Sequence, residues 1–441
     1  MSNVKSLTIN DLKDAVAGSA AAFRLTLKLE AVSPKVFPPT YEGGKYAKES
    51  RYIPGYKYID PETGRETPVP CVLLDSVPSQ ANRMELALQD AWMGGEIELP
   101  VVSADFSAVK NPGVPKVTSL QAPHRIVDAI LRDSTLGDGQ KPPKFRDSAI
   151  GKELDPLAAG YATPLLKYAP HCLVFGMWDS TGPRGGLGVK FARAVVSEII
   201  GVNAVGGVTT GSRIDPLNIR VNSGTLYEAE GGGWTLDEKA AAKGKDGKEK
   251  GKSIKLGKDG KPSEANHGNV TPDFVYARDA NKNILRDENG HPIHKGGFTI
   301  DYAEQTTVLS LPALRRLRFP AKPGDKSSPE GDIAARTYLA ALGLLGATLA
   351  AEAGYDLRSR CILRAKDAVT WNLLGKPGDA DTTFTLDKAA AVKLYTDALA
   401  AVQKARLPIH LEEVVLKPSA DLVTLVKKSM EIAAADAGEA Q

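Results

Sequence analysis

The chain has 441 residues, 42% of them hydrophobic and 25% charged, a composition that belongs to a folded globular protein and excludes a chiefly disordered one. A formal net charge of +3 is nearly balanced, so a basic surface has to come from uneven placement of charge, and composition alone does not point to nucleic acid. Cys71, Cys172 and Cys361 lie far apart with no C-x-x-C pair, which argues against a zinc site and a disulfide framework and fits a reducing cytoplasm.

Length permits two or three domains, or one large domain with insertions. The start, MSNVKSLTINDLKDAV, has no basic segment followed by an apolar core, so no secretory signal is expected. Phe23, Leu25, Leu27, Leu29 and Ala31 alternate with Arg24, Thr26, Lys28 and Glu30, the pattern of a half-buried strand. FPPTYEGGKY and a Tyr-, Pro- and Gly-rich stretch, about 33–70, read as a surface excursion.

After the apolar CVLLDS, the segment SQANRMELALQDAW predicts a helix with Ser79 as N-cap and Ala81, Met84, Leu88 and Ala91 along one face. APHRIVDAILRDS predicts a second helix burying Ile126, Val127, Ile130 and Leu131. HCLVFGMW reads as a buried strand, STGPRGGLG as a turn, and VKFARAVVSEIIG as a helix with Val189, Ala192, Val196, Ile199 and Ile200 inward.

From about Tyr227 to Gly297 the composition turns to low complexity. Nine lysines face five acids between Asp237 and Lys261, and GKDGK occurs at 244–248 and 257–261. Asp-Gly and Asn-Gly pairs favour tight turns, so flexible hairpins are expected. Regular pattern returns with TTVLSLPALRRLRF as strand and turn, ARTYLAALGLLGATLAAEAG as a long buried helix, and YDLRSRCILR as a final strand. The uncharged run Thr337–Ala351 is short, Gly- and Ala-rich, and bracketed by Arg336 and Glu352, so it reads as buried in protein and not in a membrane.

This order predicts an α+β fold of the split βαβ or ferredoxin-like kind, with an antiparallel sheet carrying helices on one face. The expected parts are a first palm segment over 1–226, a hairpin insertion over 227–300, and a second palm segment with C-terminal helices over 301–441.

Three segments could carry chemistry. Ser79, Gln80, Asn82 and Arg83 crowd a helix start suited to a phosphate, or they simply cap the helix. FGMWDSTGPRGGLGVKFAR combines the four glycines of its STGPRGGLG turn with Arg184, Lys190 and Arg193, but its spacing is neither G-x-x-x-x-G-K-[ST] nor G-x-G-x-x-G; polynucleotide backbone contact outranks mononucleotide binding, and a plain turn competes with both. On the helix reading, Lys190, Arg193 and Ser197 share one face. The lysine-rich insertion could hold phosphates or be a solvated face. DANKNILRDENG imitates a calcium loop at Asp279, Asn281 and Asn283, then fails because Ile284 and Gly290 stand where glycine and glutamate are needed.

Catalysis finds little support: the six histidines show no metal-ligand spacing, and there is no G-x-S-x-G elbow. Asp75 or Asp179 could act in RNA cleavage, although a lone aspartate near a strand end is more often a cap. Neither metal nor cofactor is expected.

VLLDSVPSQANRMELAL, APHRIVDAILRDS, FGMWDSTGPRGGLGVKFARAVVSEIIG, GSRIDPLNI and YDLRSRCIL together resemble the RAMP-superfamily backbone protein of the subtype I-G (formerly I-U) CRISPR effector, called Cascade. The resemblance implies an RRM-like palm with a β-hairpin thumb, copies stacked along a guide RNA, and no catalysis by the subunit itself. Its implied partners are the guide CRISPR RNA, target DNA as an RNA–DNA hybrid, further copies of the chain, the large and guide-end-capping or processing subunits, and a recruited helicase-nuclease, all in a prokaryotic cytoplasm. It also implies phosphate contact at Ser79, Gln80, Asn82, Arg83, His124, Arg125, Arg132, Arg184, Lys190, Arg193 and Arg213. Phe37 and Tyr41 in FPPTY, aromatics stiffened by prolines, are candidates for packing on bases or on a neighbouring copy, with burial in the core as the competing reading. The lysine-rich stretch 239–261 is longer and more repetitive than that family pattern. Type III backbone subunits, some of which cut bound RNA with a loop aspartate, supply the alternative.

Overall fold

The computed structural model describes residues 4–109, 113–137, 139, 141–182, 188–244, 250–279, 281–287 and 289–439. Two compact units result: one holds the chain up to Tyr41, Lys45–Val205 and Phe298–Val423, and the other is chiefly Gly206–Gly297. The insertion therefore begins about twenty residues earlier than the low-complexity composition suggests.

The first unit is built on a ten-stranded sheet. Its strands are β1 (Lys5–Ser6), β2 (Ala22–Ala31), β3 (Lys48–Arg51), β4 (Val69–Asp75), β5 (Val195–Val202), β6 (Tyr302–Ser310), β7 (Tyr355–Arg358), β8 (Cys361–Ala365), β9 (Thr370–Leu374) and β10 (Thr382–Thr385). The spatial order is β1-β10-β9-β2-β6-β5-β4-β3, and β8 also pairs with β2 while β7 pairs with β8. All pairings are antiparallel except β1 with β10. The fold is thus α+β around an antiparallel-dominated sheet.

Alternation sets the two faces. Phe23, Leu25, Leu27 and Leu29 of β2 are buried, whereas Arg24, Thr26 and Lys28 are exposed on the other side. On β6, Ala303, Gln305, Thr307 and Leu309 follow the buried face. Helices cover that face: α1 (Ile9–Ala17), α2 (Val77–Met93), α3 (Pro329–Ala353) and α4 (Lys388–Lys404). Helix α3 is buried from Ala335 through Ala351, and each fully buried leucine in it contributes roughly 1.5–3 kcal/mol. By length and composition α3 could cross a membrane, but 89% of its apolar window is buried inside the protein. Gly343 makes its close approach possible, since a Cβ there would lie 2.8 Å from Val195 Cγ2.

Several sequence expectations are corrected. VKFARAVVSEIIG is not a helix but a short strand, Lys190–Phe191, followed by β5 at the centre of the sheet. Its β-branched Val195, Val196, Ile199 and Ile200 favour a strand. Residues 199–202 are buried on both sides, which hides the alternation that would have identified it. HCLVF is a helix, His171–Phe175, and only Met177–Trp178 is extended. APHRIVDAILRDS breaks at Asp128, whose carboxylate accepts from the backbone amides of His124 and Ile130 at 3.0 and 2.9 Å, leaving a 3-10 turn and the short helix Ala129–Arg132. Helix α2 starts at Val77, so Ser79 lies inside its first turn and Ser76 is the N-cap residue. YDLRSRCILR is the hairpin β7–β8 and not the last strand.

The second unit is held by small backbone rings more than by an apolar core. The amides of Leu285, Ile293 and Ala277 donate to the carbonyls of Ala277, Leu285 and Ile293 at 2.9, 2.9 and 2.8 Å, closing a three-membered circuit at eight-residue spacing. Glu228, Ala242 and Ile254 close another. Within the first ring the sequence repeats as Arg278-Asp279 and Arg286-Asp287, and each arginine donates to the carbonyl four residues on, at 2.7 and 2.8 Å. The calcium-like residues serve this turn: Asp279 accepts from the amide and side chain of Asn283. Among the described residues no group of three or more His, Cys, Asp or Glu side chains could hold a metal.

Candidate nucleic-acid interface

The helix-start cluster is turned inward. Asp75, at the end of β4 and 1% exposed, accepts from Ser79 Oγ at 2.7 Å, Gln80 Nε2 at 2.7 Å and Arg83 Nε at 3.0 Å, and Arg358 Nη2 lies 3.6 Å away. A carboxylate of the chain itself therefore occupies the donors that the sequence offers to a phosphate. Gln80 is fully buried, and its Oε1 accepts from Ser197 Oγ at 3.0 Å and Gln305 Nε2 at 2.9 Å, fastening α2 to β5 and β6. Arg83 also donates to the carbonyls of Asp356 and Leu357. Asn82 alone of the four is exposed.

Phe37 is half-buried, with the Arg360 guanidinium 3.7 Å above its ring, so that face is used within the chain. Tyr41 is 47% exposed. In the second unit, Arg213 donates to the carbonyls of Gly268 and His267 at 2.9 and 2.7 Å and braces a turn.

A different group of residues gathers around the glycine-loop ribbon. Met177–Trp178 pairs antiparallel with Lys190–Phe191, with Trp178 opposite Lys190. Residues opposite one another on two strands point to the same side, so the indole and the ammonium share a face. Trp178 is 54% exposed and Lys190 is exposed. The ribbon lies against the 3-10 turn Arg125–Val127, which follows the exposed His124. Arg132 reaches it through Nη1, 3.4 Å from Thr181 Oγ1, while also pairing with Asp133. The ribbon's acid, Asp179, is 7% exposed and held by Arg146 Nη1 at 2.6 Å and by the Thr181 amide at 3.2 Å. Arg184 lies outside the described residues.

Behind the ribbon, Arg125 is buried and forms a two-pronged pair with Glu85. Burial pushes the Glu85 carboxyl up against the pull of Arg125. Arg193 is exposed and, among the described residues, engages in no hydrogen bond or ion pair; partial burial first, and then the nearby Arg125, lower its guanidinium pKa, with Glu85 opposing. Of the charged side chains predicted to contact phosphate, Lys190 stands on the ribbon, Arg193 lies against the Gly176 turn that starts it, and Arg132 reaches Thr181 after it, with the exposed His124 preceding the adjoining turn, while Arg125 is committed to the core. Sequence reading missed Trp178. Its signal was a large aromatic immediately before a glycine-rich turn, where burial is least available.

Residues 24–205, from β2 to the end of β5, match the family described as CRISPR-associated protein GSU0053. That stretch, less than half of the chain, is similar to a CRISPR-associated protein family. The match stops where the insertion begins. No curated protein matches the chain.

Proposed function

We propose that the chain is CRISPR-associated, a non-catalytic guide-RNA-binding backbone subunit of a subtype I-G effector, several copies of which line up along the spacer. The observation that carries the reading is the exposed Trp178 opposite Lys190 on one face of the ribbon, in a stretch of chain that matches a CRISPR-associated family over residues 24–205. Aromatic rings and unpaired cations on one surface hold a single strand by stacking and by its phosphates, leaving sequence to base pairing.

The strand order supports an RRM-like palm: β8 and β9, β2, β6 and β5 lie in the order fourth, first, third, second of a split βαβ sheet, with α2 and α3 as the helices on one face. The insertion between β5 and β6 is the thumb-like element of this reading. Target DNA paired to the guide, the large subunit, a guide-end-capping subunit and a helicase-nuclease are the further partners, in a prokaryotic cytoplasm.

The test is to express the chain with and without its guide RNA and to measure particle mass and nuclease protection over a range of salt. Guide-dependent oligomers with regularly spaced protection and steep salt sensitivity are expected. A monomer indifferent to RNA overturns the proposal.

A further inference from the structure

We infer that Arg360, held on the Phe37 ring at the tip of the β7–β8 hairpin, grips one phosphate of a single-stranded RNA, at a site made of residues that the Trp178 ribbon does not include. The inference rests on the backbone reading and deepens it. The hairpin turns through Ser359 and Arg360, since Arg358 pairs with Cys361. Arg360 stands there at φ +61°, in the left-handed region where such a turn favours glycine or asparagine. A long side chain kept where its own backbone is strained points to a use for that side chain.

Phe37 supplies the second, independent observation. Its amide donates to the Arg360 carbonyl at 3.2 Å, and its ring centroid lies 3.7 Å from the Arg360 guanidinium carbon. A guanidinium stacked on a ring uses its flat face, while its N–H donors lie in the plane and stay available to a two-oxygen acceptor. Arg360 is exposed, and among the described residues its guanidinium has no hydrogen bond or ion pair. The charge behind it is uneven. Arg358 Nη1 donates to the Phe37 carbonyl at 3.3 Å, and Arg358 and Arg83 share the one carboxylate of Asp75, at 3.6 and 3.0 Å. Three guanidinium groups thus stand against one buried acid, and the exposed Asp356 of the same hairpin pairs with none of them among the described residues. A phosphate brings the missing charge in the geometry that a planar fork accepts, and the excess of positive charge favours a polyanion over a single protein carboxylate.

The test measures binding of the full-length chain to its guide RNA over a salt series, beside thermal melting. Arg360→Asn is expected to melt at or above the wild-type temperature, because asparagine tolerates the left-handed turn. It should nevertheless bind RNA roughly ten-fold more weakly, with the salt slope lowered by about 0.7, the single-strand value for one phosphate. Arg360→Lys keeps the charge and the slope but loses affinity with the fork. Phe37→Leu, which leaves every charge in place, weakens binding at constant slope. Unchanged affinity and slope in Arg360→Asn, or a lower melting temperature with RNA binding intact, overturns the site. Intact RNA affinity with smaller guide-dependent particles would assign the fork to a carboxylate of a neighbouring copy and overturns it equally. In each of these cases Lys190→Ala still weakens binding and the backbone reading stands, whereas a wild type indifferent to RNA overturns both.

Discussion

Arg125 and Glu85 meet inside the first unit as parallel bonds, Nε to Oε1 at 2.7 Å and Nη2 to Oε2 at 2.6 Å, with both side chains nearly removed from solvent. Truncating one partner strands a buried charge. Glu85→Ala is therefore expected to cost about 3–5 kcal/mol of folding stability in urea titrations. Replacing both residues with leucine and methionine should cost much less. RNA affinity of the double variant should match wild type, since Arg125 is buried against Glu85 and removed from solvent.

Asp75 makes a similar prediction that also separates two functional readings. Asp75→Ala leaves Ser79 Oγ, Gln80 Nε2 and Arg83 Nε without their acceptor, while Arg83 keeps the Asp356 and Leu357 carbonyls, and a loss of roughly 2–4 kcal/mol is expected in denaturant melts. Complementary RNA incubated with wild type and divalent metal should remain intact. Cleavage that disappears in Asp75→Ala or Asp179→Ala would establish the endonuclease alternative.

His171 gives the protein a defined response to acid. It is fully buried with Nε2 3.1 Å from the Ser119 carbonyl, and burial first, then the charge of Arg125, lower its pKa from 6.5 to about 3. Below 6.5 the unfolded chain takes up a proton that the native state refuses. Stability contributed by this group is therefore complete above that value and falls by about 1.4 kcal/mol per pH unit on acidification toward the lower one. Melting curves of wild type and His171→Gln between neutral and acid pH should converge as pH falls, because only wild type carries this proton linkage and the remaining carboxylates titrate in both.

Lys190 is exposed and opposite Trp178, so its contribution to RNA binding should be electrostatic and uniform over sequence. Lys190→Ala should lower guide affinity and reduce the slope of log affinity against log salt by about one, with melting unchanged. Gln80→Ala is expected to behave in the opposite way, losing stability through its buried network while folded protein keeps its salt slope.

The insertion can be removed as a test of modularity. Gly207 donates to the Gly297 carbonyl at 2.9 Å, so its two ends are adjacent. Replacing residues 208–296 with a short glycine linker should leave one cooperative unfolding transition for the sheet and its helices. Loss of that transition would show that the sheet depends on the insertion.

Where one face of an element meets solvent, the sequence was readable. The alternation of Phe23 to Ala31 recovered nearly all of β2, and the apolar run around Leu339 to Leu349 located α3. Where burial surrounds an element the period vanishes, and there β5 was read as a helix and His171–Phe175 as a strand. For the site, residue type identified Lys190 and Arg193 but could not say which arginine finds a carboxylate. That depends on Glu85 of α2 meeting Arg125 across forty residues of chain, a tertiary fact with no local signature. The same holds for Ser79, Gln80 and Arg83, whose donors look available until Asp75 is seen to receive them.

The circuit through Ala277, Leu285 and Ile293 gives the insertion an arithmetic of its own. Each of the two eight-residue steps is opened by an Arg-Asp pair whose arginine closes its own turn, and the third bond, from Ala277 back to Ile293, locks the two steps into one loop. The ring behaves as a clasp: its amides and carbonyls find their partners within seventeen residues of chain, so its geometry is set locally, whatever the apolar content of the surrounding sequence.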